Sequence, residues 1–181
     1  LHYSMSPSVI DTLSSHKVPI VFSLHDYRII CVGGFFYTGD SECYKCLGGH
    51  YLHGVKNKCY RNSSIQSSMG VVGNYLYDIL KIYEKVDLFT VPHRSMLELM
   101  VTHGIPRNKL RILRNPLVLS DDKYVCNQGD YVLFFGNLSK QKGVFTLLKA
   151  AARLPQIPFL ICGNGEALTE IKDKILMLGL K

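Results

Sequence analysis

The sequence predicts an α/β fold built on parallel sheet, and two observations carry that expectation. Short apolar runs rich in β-branched residues recur at 18–24, 86–91, 110–113, 131–135 and 157–162. Continuous apolar runs of this length suit strands buried on both faces. In the second half these runs alternate with segments whose apolar residues recur at helical spacing, which calls for parallel strands joined by helical crossovers.

The elements follow in order. The run at 18–24 ends at His25-Asp26-Tyr27. Residues 31–61 break into glycines, tyrosines and cysteines, too irregular for a regular helix or strand, and read as an inserted loop or mini-subdomain. A helix is expected over 67–85, then a strand over 86–91 ended by Pro92. Over 95–103, Met96, Leu99 and Met100 share a face, Gly104 is placed to cap the helix and Pro106 prevents its continuation. Residues 110–113 read as a third strand. Asn115-Pro116 and Ser120-Asp121-Asp122-Lys123 then supply turn and linker chemistry. The chain thus divides into a domain over 1–118, a linker over 119–129 and a second domain over 130–181. In the second domain a strand ends at Gly136, and Val144, Leu147, Leu148 and Ala151 fall on one helical face. The strand at 157–162 is followed by Gly163-Asn164-Gly165 and a helix with Leu168, Ile171, Ile175 and Leu178 on one side. The alternation implies a Rossmann-like sheet.

Composition bounds the function. A chain of 181 residues that is 47% hydrophobic can bury a core, and it does not have the composition of a disordered chain. A formal net charge of +7 favours anionic partners: nucleotide phosphates, nucleic acid or an acidic membrane face. No apolar run approaches the roughly 20 residues needed to span a bilayer. Leu1-His2-Tyr3 has neither an initiator Met nor the order of a signal peptide, and both ends are expected to be cuts within a longer protein. Six cysteines without a secretory signal point to a reducing, cytoplasmic setting.

In open parallel sheets ligands bind outside the carboxyl ends of the strands, which directs attention to three loops. His25 ends the first strand beside Asp26, and both a ligand contact and a hydrogen-bonded structural histidine are open there. In the loop from Gly136 to Gly143, two lysines precede a helix N-terminus, an outline in which backbone N–H groups, the helix dipole and a mobile ammonium favour phosphate. It is not a Walker A loop, because Gln141 precedes Lys142 and Gly143 follows it. Gly163-Asn164-Gly165 lacks the third glycine of a dinucleotide fingerprint, since Leu168 stands there. A tight turn and close approach to a ligand phosphate explain those glycines equally well.

Together, several pieces resemble glycosyltransferase family 4. They are Pro19-Ile20-Val21-Phe22-Ser23-Leu24-His25-Asp26-Tyr27, Val91-Pro92-His93-Arg94-Ser95, His103-Gly104-Ile105-Pro106-Arg107-Asn108-Lys109 and Leu113-Arg114-Asn115-Pro116. Further along come Phe134 to Gly143, Leu147-Leu148-Lys149-Ala150 and Ile161-Cys162-Gly163-Asn164-Gly165. The resemblance runs over almost the whole chain and rests on the order and spacing of the set. It implies the GT-B fold, two Rossmann-like domains here both incomplete, and a retaining glycosyltransferase of EC class 2.4. The implied partners are a UDP- or GDP-linked sugar donor and a saccharide or lipid-linked acceptor. The implied setting is cell-surface polysaccharide synthesis at the cytoplasmic face of a membrane, with peripheral association.

The resemblance also implies site roles. Lys142 would neutralise the donor diphosphate as it leaves, and His25 would lie near the transferred sugar. Gly136, Asn137, Gly163 and Gly165 would line the donor site, with Asp26 and Tyr27 on the acceptor side or cleft. No metal or other cofactor is required for transfer in such enzymes. The chain departs from the family at Asn137, where Arg is usual, and at Gln141, where Glu often stands. Loss of the guanidinium would weaken the grip on a diphosphate unless Lys140 or another cation substitutes. The family's N-terminal glycine-rich loop and its paired-glutamate motif are not in these residues, so the chain alone is expected to be inactive.

Cys31, Cys43, Cys46 and Cys59 form C-x11-C-x2-C-x12-C. Four thiolates at this spacing can close a structural zinc site, with His50 and His53 as spare ligands; a disulfide or free thiols are the alternatives. Cys126 and Cys162 look isolated, the latter a core thiol at a strand end. Two other readings remain. One is a non-catalytic relative that keeps the fold as a scaffold. The other is a zinc-stabilised nucleic-acid-binding module, disfavoured because the lysines are spread through both halves and the tyrosines sit in apolar contexts.

Overall fold

The computed structural model describes residues 7–39, 41–116 and 129–180. The chain forms two compact units, Leu1–Val118 and Leu119–Lys181. In the first, helix α1 (Ser8–Ser15) leads into β1 (Val21–Ser23), and the inserted region follows with a hairpin of β2 (Tyr37–Thr38) and β3 (Ser41–Glu42) and the one-turn helix α2 (His53–Lys56). Helix α3 (Ser64–Ile79), β4 (Leu88–Val91), α4 (Arg94–His103) and β5 (Leu110–Ile112) complete it. The sheet is parallel in the order β1-β4-β5, with Phe22 opposite Phe89 and Phe89 opposite Leu110. Its core gathers Phe22, Leu24, Phe89, Val91 and Leu110 against Ile10 of α1 and Met96, Leu97 and Met100 of α4.

The second unit contains β6 (Val132–Phe135), α5 (Val144–Arg153), β7 (Phe159–Cys162) and α6 (Leu168–Met177), with β6 and β7 parallel. Val144, Leu148 and Ile171 are buried at its centre, and Ile161, Leu168, Ile175 and Leu178 pack around them. The architecture is α/β with parallel sheets, as the apolar runs predict.

Three expectations change. β4 is buried at Phe89, Thr90 and Val91 in succession, hence on both faces, but the outer strands are not: Val21 is 61% exposed, and Leu133, Phe135 and Leu160 are also exposed. In β1 and β7 the pleat turns alternate residues outward. The helix expected over 67–85 begins at Ser64 because the Ser63 hydroxyl accepts from the Gln66 N–H (3.4 Å). It ends at Ile79, since Lys81 takes a left-handed conformation (φ 52°) and a 3-10 turn over Ile82–Lys85 inserts Ile82 into the core. The insertion also holds regular structure, the hairpin and α2, which are too short to show a periodicity.

Candidate functional site

In the first unit the chain leaves β1 at Leu24, whose N–H donates to the Thr90 carbonyl (2.8 Å), and reaches His25, which is exposed. Asp26 and Tyr27 turn inward and hold the loop. The Asp26 carboxylate accepts from the Arg28 N–H (3.0 Å) and lies 3.3 Å from its guanidinium. The Tyr27 ring packs on Phe36 with centroids 4.8 Å apart, and burial raises its phenol above the ordinary value. Two motifs that carry the family resemblance have structural tasks. His93 caps α4, its Nδ1 accepting from the Met96 N–H (3.2 Å). Lys109 Nζ donates to the carbonyls of Glu84 (2.7 Å) and Val86 (2.8 Å), pinning the approach to β4.

In the second unit, pairing of Phe134 with Ile161 and Phe135 with Cys162 sends the following two loops out side by side. Gly136 N–H donates to the Cys162 carbonyl (3.0 Å), Leu138 N–H to the Asn164 carbonyl (2.9 Å) and Ala167 N–H to the Leu138 carbonyl (3.0 Å). A Cβ on Gly163 would run into the Gly136 carbonyl oxygen, and one on Gly165 into the Asn137 side-chain oxygen and the Leu138 carbonyl. Loop-on-loop packing therefore demands both glycines, whether or not a phosphate approaches them.

The first of these loops continues through a 3-10 turn, Lys140–Lys142, to Gly143, left-handed at φ 77°, and into α5. Lys140 Nζ lies 3.2 Å from the Glu170 carboxylate and 5.8 Å from the Phe145 ring centroid. Lys142 is exposed, and among the described residues no hydrogen bond or ion pair engages its ammonium. A mobile cation one residue before a helix N-terminus is equipped to meet a phosphate oxygen. His25 lies in the first unit and Lys142 in the second, each placed by its own unit's sheet.

Cys31, Cys43, Cys46 and Cys59 are free thiols sharing one neighbourhood. Burial, reinforced by Cys31, pushes the Cys46 thiol up to about 11 against a hydrogen bond from the Val32 backbone. Burial also raises Cys59, opposed by a bond with the Thr38 side chain. As placed, no three or more His, Cys, Asp or Glu among the described residues form a group that could hold a metal. His50 and His53 are exposed. Cys162 is exposed too, not a core thiol, because in β7 it alternates with the half-buried Phe159 and Ile161. Cys126 lies outside the described residues.

The sequence reading missed a polar cluster around one buried residue. Tyr51 is fully buried, and its hydroxyl meets His103 Nε2 at 3.2 Å and also bonds Asp78. Desolvation lowers the His103 pKa below its ordinary value, with Asp78 acting in the opposite sense. Asp78 and His103 line a cavity of about 480 Å³ whose walls include Tyr83, Phe89 and Lys109.

Among the described residues no helix is long and apolar enough to cross a membrane. Comparison with curated proteins and with solved structures finds no match. Residues 122–181, about a third of the chain, match the family model described as Glycosyl transferases group 1. That match spans both laced loops, Lys142 and α5, and with the parallel α/β architecture it supports a glycosyltransferase of the GT-B type.

Proposed function

We propose that the protein to which this chain belongs is a retaining glycosyltransferase of family 4. In this reading it moves a sugar from a UDP- or GDP-linked donor to a saccharide or lipid-linked acceptor, in cell-surface polysaccharide synthesis at the cytoplasmic face of a membrane. The observation that carries it is the exposed, unengaged Lys142 ammonium at the start of α5, within residues that match the group 1 family.

Cleavage of the donor leaves negative charge on the departing diphosphate. The Lys142 ammonium and the N–H groups opening α5 stabilise that charge as it develops, at a site already organised by the Gly136–Gly163 packing. Lys140 pairs with Glu170, whereas Lys142 has no such pair among the described residues, so Lys142 is assigned the anion. His25, exposed at the end of β1, contacts the transferred sugar. No metal is assigned to the step.

The test is calorimetric titration of the full-length protein with UDP- and GDP-sugars, beside Lys142→Ala. Micromolar binding that the substitution weakens supports the donor site. A folded protein that binds neither sugar overturns it and favours a scaffold in which Asn137 marks the lost grip.

A further inference from the structure

Helices α3 and α4 both end on the cavity of about 480 Å³ in the first unit. Tyr77 and Asp78 of the last turn of α3 line it, as do His103 and Gly104 at the end of α4. The negative ends of two helix dipoles therefore face one space, which favours a cation there. Tyr83 and Phe89 add aromatic wall, with the Tyr77 and Tyr83 rings edge to face at 6.1 Å between centroids. Glu84 precedes β4 and Lys109 precedes β5, so the cavity opens at the end of the parallel sheet opposite His25. Its volume and its apolar lining with a few convergent polar groups are those of a small-molecule site.

The polar groups of the wall call for a donor. An ionised Asp78 can only accept, so the Tyr51 hydroxyl that bonds it is the donor of that pair. The Tyr51 oxygen then accepts from His103 Nε2–H across 3.2 Å. Desolvation lowers the His103 pKa, so the imidazole is neutral at neutral pH, and with its proton on Nε2 the other nitrogen is a bare acceptor. His103 Nδ1 is buried and has no hydrogen-bond partner among the described residues, which folded proteins seldom leave so. The cations of the wall are already engaged: Lys81 lies 3.5 Å from Glu84, and Lys109 donates to the Glu84 and Val86 carbonyls. Asp78 has no ion pair among the described residues.

We infer that this cavity binds a primary organic ammonium with an apolar or aromatic body. The ammonium donates to the Asp78 carboxylate and to His103 Nδ1, and the body lies against Tyr77, Tyr83 and Phe89, whose rings accept cation and hydrocarbon alike. An anionic ligand would meet Asp78 and two negative helix ends, and a neutral alcohol would forgo their attraction. The inference stands on the first unit alone and does not need Lys142 to bind a donor, so the donor titration and the amine titration fail separately.

The test is calorimetric titration of the full chain with phenethylamine, beside phenethyl alcohol and phenylacetate as its neutral and anionic matches. The amine is expected to bind at one site, about tenfold or more tighter than the alcohol, and phenylacetate more weakly still. Asp78→Asn keeps an oxygen that accepts from Tyr51 and removes the charge; it is expected to weaken the amine about tenfold or more and to leave the alcohol nearly unchanged. Tyr77→Leu, at a half-buried position, is expected to weaken the amine about threefold. The unfolding midpoint of each variant shows that it is folded, and if Asp78→Asn misfolds, Tyr77→Leu and the three-ligand comparison carry the test. No saturable binding of the amine by the folded chain, equal binding of amine and alcohol, or a preference for phenylacetate overturns the inference. So does undiminished amine binding by either folded variant.

Discussion

The carbonyl oxygen of Gly136 occupies the space that a Cβ on Gly163 would fill. The two loops of the second unit interlock through their backbones at this point, and Gly163 holds a φ of 154° that L side chains rarely adopt. Gly163→Ala must part the loops or distort them. It is expected to cost about 2 kcal/mol or more, from strain and overpacking together. Urea unfolding checks this, with Gly143→Ala as a comparison: it too has positive φ (77°), but its Cβ would meet nothing within 4 Å, so about 1 kcal/mol is expected.

The two lysines of the 3-10 turn should separate cleanly. Lys140 pairs with Glu170 on a partly exposed surface, where such pairs contribute less than about 1 kcal/mol. Lys140→Ala is expected to leave nucleotide-sugar affinity nearly unchanged. Lys142→Ala removes a charge-assisted contact worth roughly 1.5 kcal/mol or more, a loss of about tenfold or greater in affinity. Equal losses in the two variants, measured by calorimetry, would mean that the anion is shared.

Strand and helix placement was legible because it follows from local pattern. Gly104 ends α4 in the left-handed region (φ 119°), as a glycine just past the last apolar repeat should. Val144 and Leu148 face the core as their spacing requires. What pattern could not show is which face of a strand finds a partner, so Val21 and Cys162 were misread as buried. Nor could it pair Tyr51 with His103, 52 positions apart. An exposed apolar stripe on α3 was present in the spacing of Ile65, Met69, Val72, Leu76 and Ile79, but spacing alone does not separate a core face from an uncovered one.

Thiol reactivity follows burial. Cys46 is buried, with a raised pKa, and Cys162 is exposed. The thiolate is the reacting form and a buried sulfur is shielded besides. Under native conditions iodoacetamide at mildly alkaline pH is expected to label Cys162 early and Cys46 only after denaturant is added. Peptide mass mapping over time reads this order, and early labelling of Cys46 would show the insertion to be open.

The Tyr51–His103 contact makes the first unit sensitive to acid. The folded state lowers the His103 pKa below the ordinary value of 6.5, chiefly by desolvation, so on acidification the unfolded chain takes up this proton first. The sign follows from linkage: stability rises with pH wherever the unfolded state binds more protons. The contribution from a neutral His103 is therefore intact above about pH 6.5 and declines as pH falls below that, toward the lowered folded value. Tyr51→Phe strands His103 Nε2 and removes a partner of Asp78, at an expected cost of about 1–3 kcal/mol at neutral pH. His103→Gln should flatten the pH dependence of the unfolding midpoint between pH 7 and 5, since no imidazole remains to titrate. An undiminished slope in that variant would assign the acid sensitivity to carboxylates instead.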